Sequence, residues 1–288
     1  MRELIEHGLA GLEPAKLARR GFVMTSLISG FTLATTRVEA QAIHTGSEGL
    51  VAGPVQVPAP DGFIPAYSAR PAGPGPFPTV LVIEEIFGVH EYIKDICRRF
   101  AKLGYLAVAP ELYARIGDLS KLSDVQQIFR EVISKAPDAM LMTDLDHTAA
   151  WALENHGDPA RLAVTGFCWG GRTTWLYAGH NPDLKAAVAW YGPIGGKTSA
   201  LQPHTVAEEA KEIKCPLLGL YGGKDDGIPV DAVEGAARSA RAAGKSAEIV
   251  IYPEAGHAFF ADYRPSYQPE AAADGWRRLQ AFFHAHGV

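Results

Sequence analysis

From Thr79 to the C-terminus, short apolar runs alternate with stretches whose apolar residues recur every three or four positions, and this limits the fold more than any other feature. The run Val80-Leu81-Val82-Ile83 has no polar position, as a strand covered on both faces requires. Ile93, Ile96, Cys97, Phe100 and Leu103 then mark one face of a helix over 91–103, with Gly104 at its stop. A buried strand follows at 105–109, and helices at 123–134 and 138–154, the second with Pro137 at its first turn. Further on, strands at 161–165, 185–190, 216–221 and 247–252 alternate with helices at 169–178, 230–243 and 270–284. Upstream, strands at 55–57 and 63–69 flank Pro58-Ala59-Pro60-Asp61-Gly62, which predicts a hairpin. Strands alternating with helices imply a mostly parallel central sheet with helices on both faces, an α/β fold in one domain over 43–288.

Composition narrows the function classes. A net charge of −5, from 27 basic and 32 acidic residues without a basic cluster, excludes a nucleic-acid partner. No stretch approaches the roughly 20 apolar residues of a spanning helix, so no stable membrane span is expected. Three cysteines are too few for a disulfide scaffold and lack the spacing of a zinc site. The chain's beginning has another character: Arg19-Arg20-Gly21-Phe22, a moderately apolar stretch at 25–34, then Val38-Glu39-Ala40-Gln41-Ala42 with a small-x-small end. This order resembles a twin-arginine export signal over 1–42, with a mature start near Ile43. It implies the twin-arginine export machinery as a partner and a periplasmic location, or a cytoplasmic one if the segment is not a working signal.

The residues that speak most directly to chemistry are Gly166-Phe167-Cys168-Trp169-Gly170, between a predicted strand and a predicted helix. A nucleophile on such a sharp turn projects beyond the strand end, and the small residues two before and two after it let strand and helix approach. Cys168 would also start a helix, whose partial positive charge favours a thiolate, and the Trp169 N–H could donate to an oxyanion. The bland alternative is a packing cysteine in a glycine-rich turn. Two further loops supply partners in the chain order nucleophile, acid, histidine. Asp225 is the first choice for the acid and its neighbour Asp226 the second, both after the strand ending at Tyr221. His257 follows the strand ending at Tyr252, where a general base is expected. Trp169, Trp190, Tyr191 and Phe259 could line an apolar pocket or serve as core.

A cysteine elbow together with Glu84-Glu85-Ile86-Phe87-Gly88-Val89, Pro110-Glu111-Leu112-Tyr113-Ala114-Arg115, Trp190-Tyr191-Gly192 and Gly256-His257-Ala258-Phe259 resembles the dienelactone hydrolases over residues 50–288. The resemblance implies an α/β-hydrolase fold and a triad of Cys168, Asp225 and His257. It also implies that Glu85 pairs with the thiol and helps generate the thiolate when substrate arrives, that the Ile86 and Trp169 N–H groups form the oxyanion hole, and that Arg115 holds a substrate carboxylate. Successive strand residues face opposite ways, so only one of Glu84 and Glu85 should reach the thiol, and the resemblance selects Glu85. In the family's best-known enzymes a second arginine follows the histidine by four positions. Here that position is Ala261, and Arg264 could take the role only if the loop 261–265 folds back.

The expected protein is therefore a cysteine-dependent hydrolase of a small-molecule lactone or ester, acting through an acyl-enzyme without a metal or organic cofactor. Two readings from other classes stand beside it: a thiol redox protein reacting with peroxide through Cys168, with Cys97 or Cys215 as partner, and a non-catalytic binding protein on the same fold.

Overall fold

The computed structural model describes residues 42–288. The predicted export signal lies outside them apart from Ala42. Eight strands form a sheet: β1 (Leu50–Ala59), β2 (Gly62–Pro71), β3 (Phe77–Ile83), β4 (Leu106–Pro110), β5 (Gly157–Phe167), β6 (Ala186–Trp190), β7 (Leu217–Gly222) and β8 (Ala247–Tyr252). The helices are α1 (Glu91–Lys102), α2 (Val125–Glu131), α3 (Asp138–Glu154), α4 (Trp169–His180), α5 (Val206–Glu209), α6 (Val230–Ala242) and α7 (Pro269–Ala285).

The spatial order is β1-β2-β4-β3-β5-β6-β7-β8. The hairpin β1–β2 is antiparallel and joins β4 antiparallel, while every pair from β4 through β3 to β8 is parallel. Every residue of β4, β6 and β7 is buried, so both faces of the sheet are covered, as the apolar runs require. This is the α/β-hydrolase fold expected from the sequence. Among the described residues no helix is long and apolar enough to cross a membrane.

Strands β2 and β5 run beyond the predicted 63–69 and 161–165 at both ends, and three further elements differ from their sequence expectation. β1 runs ten residues rather than three. Pro54 and Pro58 argue against a strand, but β1 pairs only with β2, and an edge strand needs no N–H donors on its outer side. The helix predicted over 123–134 ends at Glu131, because Val132 leaves helical geometry at φ −124°, ψ −65° and a 3-10 turn follows. The long connection at 192–212 carries α5, opened by a capping box in which Thr205 and Glu208 satisfy each other's backbone N–H groups.

Because β3, β5, β7 and β8 run parallel, the loops after them leave from the same, carboxyl-terminal edge of the sheet. Those loops carry Glu85 and Ile86, Cys168, Asp225, and His257 respectively.

Candidate active site

Cys168 sits on the turn between β5 and α4 with φ 54° and ψ −117°, a conformation costly for any residue with a side chain. Backbone bonds hold it there. Its N–H donates to the Trp190 carbonyl at 3.1 Å, and its own carbonyl accepts from Gly171 at 2.9 Å and Arg172 at 3.2 Å. A Cβ on Gly166 would overlap the Gly170 carbonyl, and one on Gly170 would overlap the carbonyls of Ile83 and Glu84. The two glycines are thus required because the turn is wedged between its own helix and the end of β3.

The turn aims the thiol at a row of polar groups. His257 Nε2 lies 3.2 Å from Cys168 Sγ, and His257 Nδ1 lies 2.7 Å from Asp225 Oδ2. Asp225 is in turn oriented by its other oxygen, which accepts the Gly227 N–H at 2.9 Å. Of the two candidate aspartates, Asp225 is the one bonded to His257, while Asp226 is exposed. The Tyr191 ring stands edge-on to the imidazole with centroids 5.2 Å apart, closing one side of it. Burial alone would lower the pKa of His257, but the charges of Asp225 and Cys168, with hydrogen bonds to both, raise it to about 10. The arrangement favours an imidazolium beside the sulfur and can pass a proton between Sγ and Nε2.

A second cluster surrounds Glu85, which is fully buried. Its Oε2 accepts a hydrogen bond from the Tyr263 hydroxyl at 2.6 Å, and Arg264 Nη2 lies 3.4 Å from both carboxylate oxygens. His90 Nε2 stands 3.6 Å from Oε2. Burial would raise the Glu85 pKa, but Arg264, His90 and Tyr263 outweigh it and bring it down to about 2. The structure therefore engages Glu85 with Arg264 and Tyr263, and engages the thiol with His257. Arg264 is itself held over the Phe87 and Tyr263 rings, 4.9 and 5.1 Å from their centroids, and Tyr263 accepts its Nε–H at 2.8 Å. The chain at 261–264 does fold back, with the Arg264 N–H bonded to the Ala261 carbonyl at 3.0 Å.

Arg115 has different company. Its Nη1 donates to both carboxylate oxygens of Asp61 at 2.5 and 2.6 Å, and its Nη2 pairs with Asp144. Its guanidinium ties the β1–β2 turn to α3. Trp169 is the first residue of α4, where a helix leaves its N–H without an intrahelical acceptor, and Ile86 is buried in the loop after β3. Of the aromatic candidates, Trp190 and Phe259 are fully buried core, Tyr191 packs on His257, and the Trp169 ring meets Phe129 at 5.2 Å and the Arg172 guanidinium at 5.1 Å. Cys97 and Cys215 are buried free thiols, like Cys168.

Sequence reasoning passed over Tyr263 and His90, and quoted Phe87 in its motif without giving it a role. Tyr263 and His90 are 178 and five residues from Glu85, and a lone tyrosine beside Arg264 carries no spacing signal.

The Dienelactone hydrolase family model matches residues 64–287. A provisionally named carboxymethylenebutenolidase of Methylorubrum extorquens is 59% identical over 274 residues, covering 94% of each chain. One of the same provisional name from Escherichia coli K12 is 50% identical over 264 residues, covering 91% of this chain and 97% of its own. The crystal structure of a provisionally assigned dienelactone hydrolase from Klebsiella pneumoniae superposes with a TM-score of 0.80 at 54% identity, covering 82% of this chain and 98% of that one.

Proposed function

The chain belongs to the dienelactone hydrolase family, and on that premise we propose that it is a carboxylic ester or lactone hydrolase with Cys168 as nucleophile, His257 as base and Asp225 as its orienting acid. The observation that carries this reading is the unbroken row from Cys168 Sγ to His257 Nε2 at 3.2 Å and from His257 Nδ1 to Asp225 Oδ2 at 2.7 Å. His257 takes the thiol proton, and Cys168 attacks the carbonyl carbon. The negative charge that develops on oxygen is met by the N–H groups of Ile86 and Trp169. The alkoxide leaves with the proton from His257; water, deprotonated by the same imidazole, then releases the acyl group.

Glu85 and Arg264 fit a substrate that bears its own carboxylate. A carboxylate arriving at Arg264 competes with Glu85 for the guanidinium, whose planar donors suit either. A Glu85 carboxyl loosened from that cation gains proton affinity and helps His257 draw the proton from the thiol. Arg115, already engaged by two aspartates, is the secondary candidate for the same substrate group. The preferred substrates are accordingly small lactones or esters with a carboxylate near the scissile bond. The leader motif supports passage through the twin-arginine machinery to the periplasm. The N-terminal mass of the chain from a periplasmic fraction tests that, an intact Met1 being the adverse result.

The reading of the site is tested by quenching the reaction of a slowly hydrolysed ester and digesting the protein. The acyl mass is expected on the peptide that contains Cys168. An acyl group on another residue, or turnover with no adduct in a burst phase, overturns it.

A further inference from the structure

Glu84 and Glu85 are neighbours at the end of β3, both wholly buried, with opposite surroundings. Glu85 is ringed by Arg264, His90 and Tyr263. Glu84 meets another carboxyl. Its Oε1 accepts the Leu112 N–H at 2.9 Å, from the loop after β4. Among the described residues no donor N–H or O–H reaches its Oε2. The titratable groups that face it are the Glu111 carboxyl and the buried Tyr113 phenol. Arg172 and Asp138, beyond that phenol, are engaged with each other.

Both carboxyls converge on one point of the loop at 86–89. Gly88 has φ +82°, and a Cβ there would lie 3.2 Å from Glu111 Oε2 and 3.8 Å from Glu84 Oε2. Glu111 Oε2 also accepts the Val89 N–H at 3.2 Å. Two ionised carboxylates at this spot would leave a buried oxygen without a donor and set like charges in contact, each costly. A single proton on Glu84 removes both penalties, since it turns Oε2 into a donor with Glu111 as acceptor. The bridge then runs without a gap from the Val89 N–H through Glu111 and Glu84 to the Leu112 N–H.

We propose that Glu84 and Glu111 share one proton, and that this acid–carboxylate pair is a positioning element that fixes the loop at 86–89 and so aims the Ile86 N–H. The positioning half rests on the reading of Ile86 as an oxyanion donor given above; the shared proton does not. Burial pushes the Glu84 carboxyl well above the usual carboxylate range, the Glu111 charge adds to that, and the Leu112 and Tyr113 N–H groups oppose it. The sign follows: the contribution of protonated Glu84 to stability is complete below the ordinary glutamate value and is lost as pH rises through its own raised value in the folded chain.

Glutamine has the shape of a protonated glutamate and donates from nitrogen where the acid donates from oxygen. Glu84→Gln is therefore expected to preserve the bridge, and Glu84→Ala to break it. With p-nitrophenyl acetate at neutral pH, Glu84→Ala should lower kcat by about 10²-fold, the cost of a misaimed catalytic group, with KM changed far less. Glu84→Gln should recover kcat to within about threefold of the wild type. The infrared difference spectrum, wild type minus Glu84→Gln, should show the carbonyl stretch of one protonated carboxyl at neutral pH, shifted in D2O. Absence of that band overturns the shared proton. A Glu84→Gln kcat as low as that of Glu84→Ala, or an Ala variant whose kcat is unchanged, overturns the positioning role. Cys168→Ala keeps the two questions apart: if it still turns over the ester, the site reading and the positioning role fall together, while the band reports on the proton alone.

Discussion

Cys168 and Cys97 are the same side chain at nearly the same exposure, 1% and 0%, yet of the two only Cys168 sits on a strained turn beside an imidazole. Cys97 lies on the buried face of α1, and burial pushes its thiol well above the ordinary range. Cys215, at the entry to β7, is pushed up to about 12 for the same reason. Cys168 has a positive φ, a helix beginning at the next residue and an imidazole 3.2 Å away. Burial thus does not tell the two thiols apart; backbone conformation and a charge partner do.

The largest expected effect tests that contrast at its root. Cys168→Ala should lower kcat/KM for an activated ester by at least about 10³-fold, since in the proposed reaction Cys168 is the nucleophile. Steady-state kinetics on the purified variant is the check, and near-wild-type turnover would mean that the elbow is only a packing device. Asp225→Asn comes next, with a loss of about 10² to 10⁴-fold, because an amide stabilises the wrong tautomer of His257 and no longer stabilises its charge. The pKa of His257 is raised, so its charged form contributes stability fully below the ordinary histidine value, and that contribution is lost as pH rises through about 10. Without the Asp225 charge, burial pulls the imidazole down, and the His257 ring signals in an NMR titration should move at a lower pH than in the wild type. An unshifted titration would show that Asp225 only positions the ring.

How much of this was legible follows from the distance over which each signal acts. The elbow is five consecutive residues between a strand and a helix, and Asp225 and His257 each follow a strand, so local pattern and chain order suffice to pick out three side chains that the structure brings into contact. Arg264 was legible only as a residue out of register, seven positions after His257 rather than four, because its use depends on a fold-back that spacing does not encode. The motif that offered Arg115 gives no hint of Asp61 and Asp144, which reach it from a hairpin turn and a helix. The Glu84–Glu111 contact is less legible still. Two acidic residues 27 positions apart look like solvated charges until the topology buries one against the other. In the fold, Pro54 and Pro58 masked most of β1, since a proline rule written for central strands does not hold at an edge.

The two arginines extend the contrast between a placed and an occupied group. A carboxylate-bearing lactone and a neutral ester of similar reactivity, compared on each variant, separate substrate binding from general damage. Arg264→Ala should reduce the preference for the charged substrate by about 10 to 100-fold, the worth of a charge-assisted hydrogen bond, and Arg115→Ala by less than about threefold. The reverse ranking would return the substrate carboxylate to Arg115.

The smallest effect is the most direct probe of the opening contrast. Cys97→Ala removes one buried sulfur from the face of α1 and should cost about 1 kcal/mol of stability, read as a lower urea midpoint, with ester turnover unchanged. Brief treatment of the native chain with iodoacetamide should label Cys168 and leave Cys97 and Cys215 unlabelled, whereas in urea all three should react. The labelled fraction should track lost activity one for one. Labelling at Cys97 in the native chain, at a rate comparable with Cys168, would mean that α1 opens as readily as the active site, and the distinction between a core thiol and a working one would have to rest on charge partners alone.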